Sequence, residues 1–329
     1  LDLALKQDGF SSWAVAFAGL MSFLVVLYSI GWFRGRGGAP GRYYGLILLA
    51  TAGTVGVLMS AHLLLLVLFW EIVTLMLFLL VATGRAEGAS GAGKAFVLLG
   101  LADMALLLGV VLLATANADL ENPLSTATLT ANPLGTGTAL HALIFVLFFA
   151  AAAAKAGAMP LHTWIPTMAT KTHASVMAFL PASLDKVLGI YLLARLSLDW
   201  CEPTSGLRMM IMVVGVVTIL GAVFMAMIQH DLRRLLSFHA VSQVGYMLLG
   251  IGTGTIIGVM GGVFHMLNHA IYKSCLFLGA GAVIHSMHEA FHHTHQDDWD
   301  AQDMRNMGGL RHSMKKTWIF MWIATLAIA

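Results

Sequence analysis

Runs of about twenty apolar residues recur from one end of this 329-residue chain to the other. Each is long enough to cross the ~30 Å hydrocarbon core of a bilayer as a helix. Several polar segments between them are too short to cover the helices they join, which excludes a large water-soluble helical domain. Composition agrees: 59% of residues are hydrophobic and 10% charged, against ~25% charged in an ordinary soluble domain. The expected fold class is an all-α polytopic membrane protein. Spans are placed at residues 13–32, 43–60, 62–83, 94–116, 139–159, 175–198, 208–228, 235–254 and 256–288, with a tenth from 317. The clearest linkers are GRGGAPGR (35–42), the Asn/Thr/Pro-rich stretch 122–138 and the polar stretch 289–316. The start lacks an initiating Met and a basic leader, and the last apolar run stops after 13 residues. The chain is therefore expected to be a fragment of a longer protein, forming one membrane domain with no soluble module.

Loop charge supports this layout. If loops alternate sides, one side collects Arg34, Arg36, Arg42, Arg85, Lys94, Lys171, Arg233, Arg234, Arg305, Arg311, Lys315 and Lys316. The other receives Lys6, Arg195 and Arg208. Twelve against three marks the basic side as cytoplasmic or its organellar equivalent. A prokaryotic cytoplasmic membrane is expected, with the start of this chain on the opposite side. Cys201 and Cys275 form no CxxC pair, so no disulfide framework, iron–sulfur site or zinc site is expected. Neither a P-loop nor a dinucleotide fingerprint occurs, and the formal charge of +2 gives no reason to expect nucleic acid as a partner.

Three basic residues are left over, Lys155, Lys186 and Lys273, and all fall inside spans. Glu71 in LFWEIVTL, Asp103 in LLGLADMALLLG and Asp185 in PASLDKVLG join them there. One charge at the bilayer centre costs ~2.5–3.5 kcal/mol, so six unpaired groups would cost roughly 15–20 kcal/mol. They must be paired, protonated or wetted. An interior alternation of carboxylates, lysines and histidines is what a proton relay requires.

In VFHMLNHAIYKSCLF, His265, His269 and Lys273 follow i, i+4, i+8 spacing on one helix face, with Asn268 just off it. Both a relay and a static interhelical hydrogen-bond role fit that stripe. Lys155 lies about five residues, ~7 Å, from the end of its span, where snorkelling to the basic side is the alternative. Gly157, Pro160 and Pro166 predict an interrupted helix beside it. Freed carbonyls at membrane depth are tolerated only against protein or a wet cavity, and broken helices beside ionisable groups mark ion sites in transporters. Glu71 is expected in the interior, as a proton carrier or as the partner of a lysine on another helix. Asp103 fits either a relay or a structural role. Asp185 and Lys186 are ~100° apart on a helix and do not face one another, and Pro181 one turn earlier predicts another local break. His285, His288, His292, His293 and His295 lie beside Asp297, Asp298 and Asp300. Their His288/His292 pair has spacing suited to zinc, but a solvated loop is the preferred reading. His239, after Asp231, Arg233 and Arg234, reads as part of a charged interface at the membrane surface.

Several of these stretches also form a family pattern. DGFSSW with VVLYSIGW, LFWEIVTL, GLADMALLLG, KAGAMPLHTWIP, HDLRRLLSFHAVSQVGYM, FHMLNHAIYKSCLFLGAGAVIH and DMRNMGGLRHSMKKT follow one another over nearly the whole chain. By them the chain resembles the antiporter-like, ion-translocating subunits of respiratory complex I, of energy-converting membrane-bound hydrogenases and of multisubunit cation/proton antiporters. FLPASLDKVLGIYLLAR with LLSFHAVSQVGYMLLGIGTG looks most like the hydrogenase branch.

The resemblance implies about fourteen transmembrane helices containing two inverted five-helix repeats with broken helices. Residues 43–198 would be the first repeat and 208–329 an incomplete second, giving about nine complete spans and one truncated. Glu71 matches the family's glutamate and Lys155 the lysine on its first broken helix. His265, His269 and Lys273 match the polar groups of the connecting channel. The implied mechanism has the charge of Glu71 tuning the proton affinity of Lys155, with protons passing laterally through Lys273. The implied partners are other membrane subunits, a peripheral redox arm and the lipid bilayer. Fe–S clusters with flavin or Ni–Fe are expected in partner subunits, and no cofactor in this chain. The alternative is a Na+(K+)/H+ antiporter subunit with no redox partner, and a non-conducting scaffold would gain nothing from six costly charges.

Three departures stand out. The turn after the Trp–Pro motif reads THASV (172–176), and Pro181 stands where many homologues carry a histidine, so Asp185, Lys186 or His173 would substitute. Arg233 replaces a usual lysine and cannot release a proton. The second broken helix, with its exit residue, is expected beyond the last residue here.

Overall fold

The computed structural model describes residues 3–33, 40–82, 88–295 and 299–328. Arg34, Arg36, Arg85, Asp297, Asp298 and most of the GRGGAPGR linker lie outside the described residues. Among those described, nine helices are long and apolar enough to cross a membrane, at the places the apolar runs predict. Four are uninterrupted before the first break: α1 (Gly9–Phe33), α2 (Pro40–Met59), α3 (Leu63–Ala82) and α4 (Gly88–Ala116). The stretch 122–138, expected as a plain linker, holds a short helix α5 (Thr126–Ala131) and a strand β1 (Leu134–Gly135). β1 pairs in parallel with β2 (Cys201–Glu202).

The next span is broken. It comprises α6 (Ala139–Ala156) and α7 (Trp164–Ala169). A run of alanine, the best helix former, carries α6 to Gly157. That residue has φ +85°, a left-handed conformation that suits glycine at a helix end. The N–H groups of Gly157 and Ala158 fold back on Ala153 O at 2.9 and 2.8 Å. Pro160 lies in the turn that follows and Pro166 in the first turn of α7, where a missing N–H costs nothing.

The span after it, Ala174–Trp200, combines α8 (Ala174–Phe179), a wide π-type turn at Leu180–Leu184, α9 (Asp185–Arg195) and a second wide turn at Leu196–Trp200. Pro181 therefore widens this helix without breaking it. The most apolar stretch of this span is wholly buried, so it forms the axle of the bundle. Backbone meets backbone there: a Cβ on Gly189 would come within 2.5 Å of Ala152 O and 2.6 Å of Ala156 N. Small side chains permit such close crossings in membranes.

Three further helices complete the spans: α10 (Ser205–Met227), α11 (Leu232–Gly252) and α12 (Ile256–His293). Each starts at a Thr or Asp whose side chain accepts a backbone N–H of the first turn: Thr204, Asp231 and Thr255. α13 (Leu310–Ser313) and α14 (Lys315–Leu326) follow. Tyr28 donates to Leu278 O at 3.1 Å, and Gly281 packs against Ala174 at the start of α8. The residues of α12 beyond Gly281 therefore run ~18 Å further on the basic side, so part of the expected polar loop from 289 is helix.

α4 serves as a ruler of depth. Phe148 of α6 packs on Gly109, Gly91 faces the Met168 backbone of α7 at 3.4 Å, and Lys94 Nζ reaches Thr167 Oγ1 at 3.2 Å. α6 and α7 thus run antiparallel to α4, with α7 beside its basic end. Lys155 falls level with Asp103, nine residues and ~13 Å deeper than Lys94. The expectation of a lysine ~7 Å from the basic side is corrected, because α7 intervenes. Lys155 is 0% exposed, which rules out snorkelling.

Candidate functional site

Four helices bring one cluster together at mid-depth. Trp70 and Thr74 are one turn apart on α3; Asp103 lies midway along α4, Lys155 in the last turn of α6 and Asp185 in the first turn of α9. Trp70 Nε1 donates to Asp103 Oδ1 at 2.6 Å, and Thr74 Oγ1 donates to Oδ2 at 2.7 Å. Lys155 Nζ donates to Thr74 Oγ1 at 2.6 Å and lies 3.9 Å from Asp185 Oδ1. It also stands 5.1 Å from the centroid of the Trp70 ring, a favourable cation–π position. All five residues are buried, so two acidic side chains flank one lysine in the interior of the bundle. Asp103 is at once a structural fastener and a neighbour of the lysine through one hydroxyl.

Glu71 makes no direct contact with this cluster, but it lies within electrostatic reach of Lys155 and Asp103. One residue on from Trp70 is a rotation of ~100°, which takes Glu71 to the exposed face of α3 with Leu64, Leu68 and Leu75. The expectation of an interior Glu71 is corrected to an exposed one, while its electrostatic reach to Lys155 holds; the carboxylates in closest contact with Lys155 are Asp185 directly and Asp103 through Thr74.

Lys186 points away from Asp185, as their adjacency predicts, and donates to Ala156 O at 2.8 Å. Both Asp185 oxygens and Ser183 Oγ are buried without a hydrogen-bond partner. Buried polar atoms of this kind are costly unless met, and such sites stabilise bound water.

The second cluster is carried by α11 and α12. Lys273 Nζ lies 2.7 Å from His239 Nδ1. His269 is 0% exposed, with its ring 5.3 Å from Tyr272 and 6.3 Å from His265. Tyr272 Oη donates to Gln243 Oε1 at 3.2 Å, and Ser274 Oγ to Ala178 O at 2.7 Å, which fastens α12 to α8. Lys273 and His269 are within electrostatic reach of Lys186, so the two clusters face each other across α9. His265 is half-buried beside the exposed Tyr246, 6.1 Å away. Asn268 lies off the stripe, as predicted, and donates to Ala327 O at 3.2 Å.

Two residues were misjudged from sequence. His239 is no surface residue: α11 begins at Leu232, so position 239 lies two turns in, ~10 Å along the helix. The Asp231 cap was the signal that could have located it. His162 is buried in the turn between α6 and α7 and packed near Phe238, and nothing in PLHTWIP marks it as an interior residue.

His173 does not join the mid-depth groups. It caps α8 on the basic face, 3.2 Å from Ser175 Oγ and stacked on Phe33. Ser175 accepts from Tyr43, which also bonds Ser29, both at 2.8 Å. This separate set fastens α1 and α2 to α8, so His173 does not substitute for the absent histidine. Arg233 Nη1 donates to Thr172 O at 2.8 Å, a fixed anchor for the loop after α7.

Outside the spans, burial raises the Asp231 carboxyl above its usual range against the pull of the Arg234 N–H. Arg305 holds Asp303 down to about 2. Among the described residues, no group of three or more His, Cys, Asp or Glu could hold a metal ion. His285 pairs with Glu289 at 3.2 Å, while His288 and His292 are exposed on the projecting end of α12.

Residues 60–329 match the family described as NADH:quinone oxidoreductase/Mrp antiporter, TM. The chain belongs to this family. It is 32% identical, over its whole length, to 49% of NAD(P)H-quinone oxidoreductase subunit 5, organellar chromatophore 1, of Paulinella chromatophora. It is 30% identical, again over its whole length, to 48% of hydrogenase-4 component B of Escherichia coli K12. Those two values do not single out a hydrogenase branch. A solved archaeal complex, the membrane-bound sulfane sulfur reductase, contains a chain with a TM-score of 0.82 and 25% identity, covering 99% of this chain and 52% of that one. The chain spans about half the length of the curated relatives it matches.

Proposed function

We propose that this chain is part of a proton-translocating, antiporter-like subunit of a redox-driven membrane complex. The observation that carries the reading is a pair of buried polar clusters inside the spans, Asp103–Thr74–Lys155–Asp185 and Lys273–His239, with Lys186 within electrostatic reach of His269 and Lys273 between them. Every charged member of it is fully or almost fully buried. Groups this costly in a membrane mark ion pathways. In the proposed cycle, Lys155 exchanges a proton between carboxylate-stabilised and carboxylate-free states. Lys186 and His269 hand the charge to Lys273, whose neighbour His239 accepts it. His265, beside Tyr246, continues the line outward.

Glu71 keeps the role its motif suggested, acting on Lys155 from the outer face of α3 through space. A carboxylate on the outer face of α3 at mid-membrane cannot stay ionised against hydrocarbon at acceptable cost, so Glu71 is protonated, wetted or covered by another membrane subunit. The names of the relatives, a quinone oxidoreductase subunit and a hydrogenase component, support a peripheral redox arm. Fe–S clusters with flavin or Ni–Fe belong to that arm in this reading. The basic loops are cytoplasmic, in a prokaryotic cytoplasmic membrane. The Mrp antiporter half of the family description supports a second reading, a Na+(K+)/H+ antiporter subunit without electron transfer.

Purifying the complex that contains the full chain and identifying its subunits separates the two. A quinone- or hydrogen-linked arm supports the first, and its absence with sodium-dependent proton flux supports the second. In the first case Lys155→Ala is expected to stop proton movement while assembly and electron transfer persist. Unchanged flux in that variant would overturn the assignment of Lys155.

A further inference from the structure

The break after α6 frees backbone groups at mid-membrane, where each must find a partner in protein or water. Of the four residues that follow the helix, Gly157 and Ala158 donate to Ala153 O, and Pro160 has no N–H to place. The remaining donor, Met159 N, is met from a different helix: Thr218 Oγ1 of α10 accepts it at 3.1 Å. Thr218 is 0% exposed, and its own proton goes to Val214 O, one turn back, at 2.7 Å. That bond commits the hydroxyl as an acceptor towards Met159. The Met159 side chain lies on the same helix at Gly221, where a Cβ would come within 2.8 Å of its sulfur. Further along the turn, the His162 ring packs 6.3 Å from Phe238 of α11, the residue before His239. α10 and α11 make a firm seat for these contacts, because their backbones meet: a Cβ on Gly245 would come within 2.5 Å of Gly215 O.

We infer that Thr218 is a positioning residue for Lys155 and Lys186, pinning the Met159 peptide and with it the broken end of α6. The role rests on the reading of Lys155 as the proton carrier. α10 contributes no ionisable group to either buried cluster, so Thr218 acts only through the turn. Lys155 lies one helical turn before Met159, and Ala156 O, the acceptor of Lys186, lies between them. With Met159 pinned, the end of α6 cannot rotate or slide without losing the bond to Thr218. The separation of Lys155 from Asp185 and the bond from Lys186 to Ala156 O are held in register by it. The same hydroxyl ties the helix of Lys155 to the pair that carries His239, the neighbour of Lys273. The two clusters therefore share one frame.

The test uses the full-length protein in its complex, reconstituted in liposomes, with proton movement measured per assembled complex. Thr218→Val keeps the shape of the side chain and removes the acceptor, whereas Thr218→Ser keeps the hydroxyl and removes the methyl group. T218V is expected to move protons about fivefold more slowly, the population change that loss of one neutral hydrogen bond produces, and T218S to match the parent. A packing role would give the reverse, a loss in T218S and none in T218V. That result overturns the proposal, as does an equal loss in both or in neither. If T218V fails to assemble, Thr218→Ala takes its place, because T218S already accounts for the methyl group. Lys155→Ala, run alongside, tells two failures apart. Parent-rate movement there removes the carrier reading itself, whereas a halt there beside an unaffected T218V removes only the role of Thr218.

Discussion

Lys155 and Asp185 are both 0% exposed and 3.9 Å apart, so neutralising one alone strands the other's charge. Lys155→Met keeps the length of the side chain without its charge, and Asp185→Asn keeps the shape of the carboxylate. Two unit charges at this distance attract by about 4 kcal/mol at an effective dielectric of ~20. Breaking a buried pair from one side typically costs ~3–5 kcal/mol. Each single variant is therefore expected to lose about 3–5 kcal/mol, and K155M/D185N little more than either alone. The coupling energy should be ~2–4 kcal/mol, below the bare attraction because Asp103 remains one hydroxyl away from the lysine. Unfolding of the four proteins by SDS titration in mixed micelles measures the cycle. Proton uptake by liposomes holding the assembled complex supplies the second reading. The double variant should be about as stable as either single variant and move no protons. Additivity of the single losses within ~0.5 kcal/mol would refute the pairing. A folded double variant that translocates at the parent rate would refute Lys155 as a carrier.

Removing the acceptor 2.7 Å from Lys273 Nζ by His239→Leu is expected to cost ~1.5–3 kcal/mol. His239→Gln should recover part of it in the same titration, and equal losses would show that the bond contributes nothing. Gly189→Ala forces a Cβ to within 2.5 Å of Ala152 O and should destabilise by ~1–3 kcal/mol. Gly100→Ala, with open space around it, serves as the neutral control. Asp8 is held below the usual carboxylate range: burial pushes it up, but the Ser11 N–H and Arg195 more than offset that. A folded pKa below the unfolded value of ~3.9 gives stability that is present above that value and lost as pH falls through the folded one. Thermal melts between pH 3 and 6 should therefore drop more steeply at the acid end for the parent than for Asp8→Asn. Parallel curves would contradict this.

The spans were legible because apolar runs of membrane length leave few alternatives, and the break after α6 because glycine and proline punctuate a helix in one direction. Which face a polar residue takes was harder to read. Trp70 and Glu71 are neighbours in LFWEIVTL, and the eye goes to the glutamate, yet the indole faces the lysine and the carboxylate faces out. In a helix hydrophobic on all sides, no amphipathic stripe shows which face is inward. His239 was misplaced for a related reason: an adjacent charged turn suggested the surface, and only the helix start at Leu232 fixes its depth. Lys155 shows the reverse case, where proline and glycine identified the site but could not reveal that α7 continues the span beyond it. The fastening role of Asp103 needed three helices at once, which no local pattern encodes.

The interruption of α6 also places something at mid-membrane that no side chain supplies. A helix ending there presents its negative pole, equivalent to roughly half an electron charge, at the point where Lys155 occupies the last turn and Lys186 bonds the final carbonyl, Ala156 O. Asp185 and Asp103 can each be silenced by a proton; the end of a helix cannot. The two lysines thus share a permanent counter-charge that stays constant through any cycle of loading and release, with the carboxylates as the adjustable part. Joining α6 and α7 into one continuous helix would delete that constant without altering a single ionisable residue.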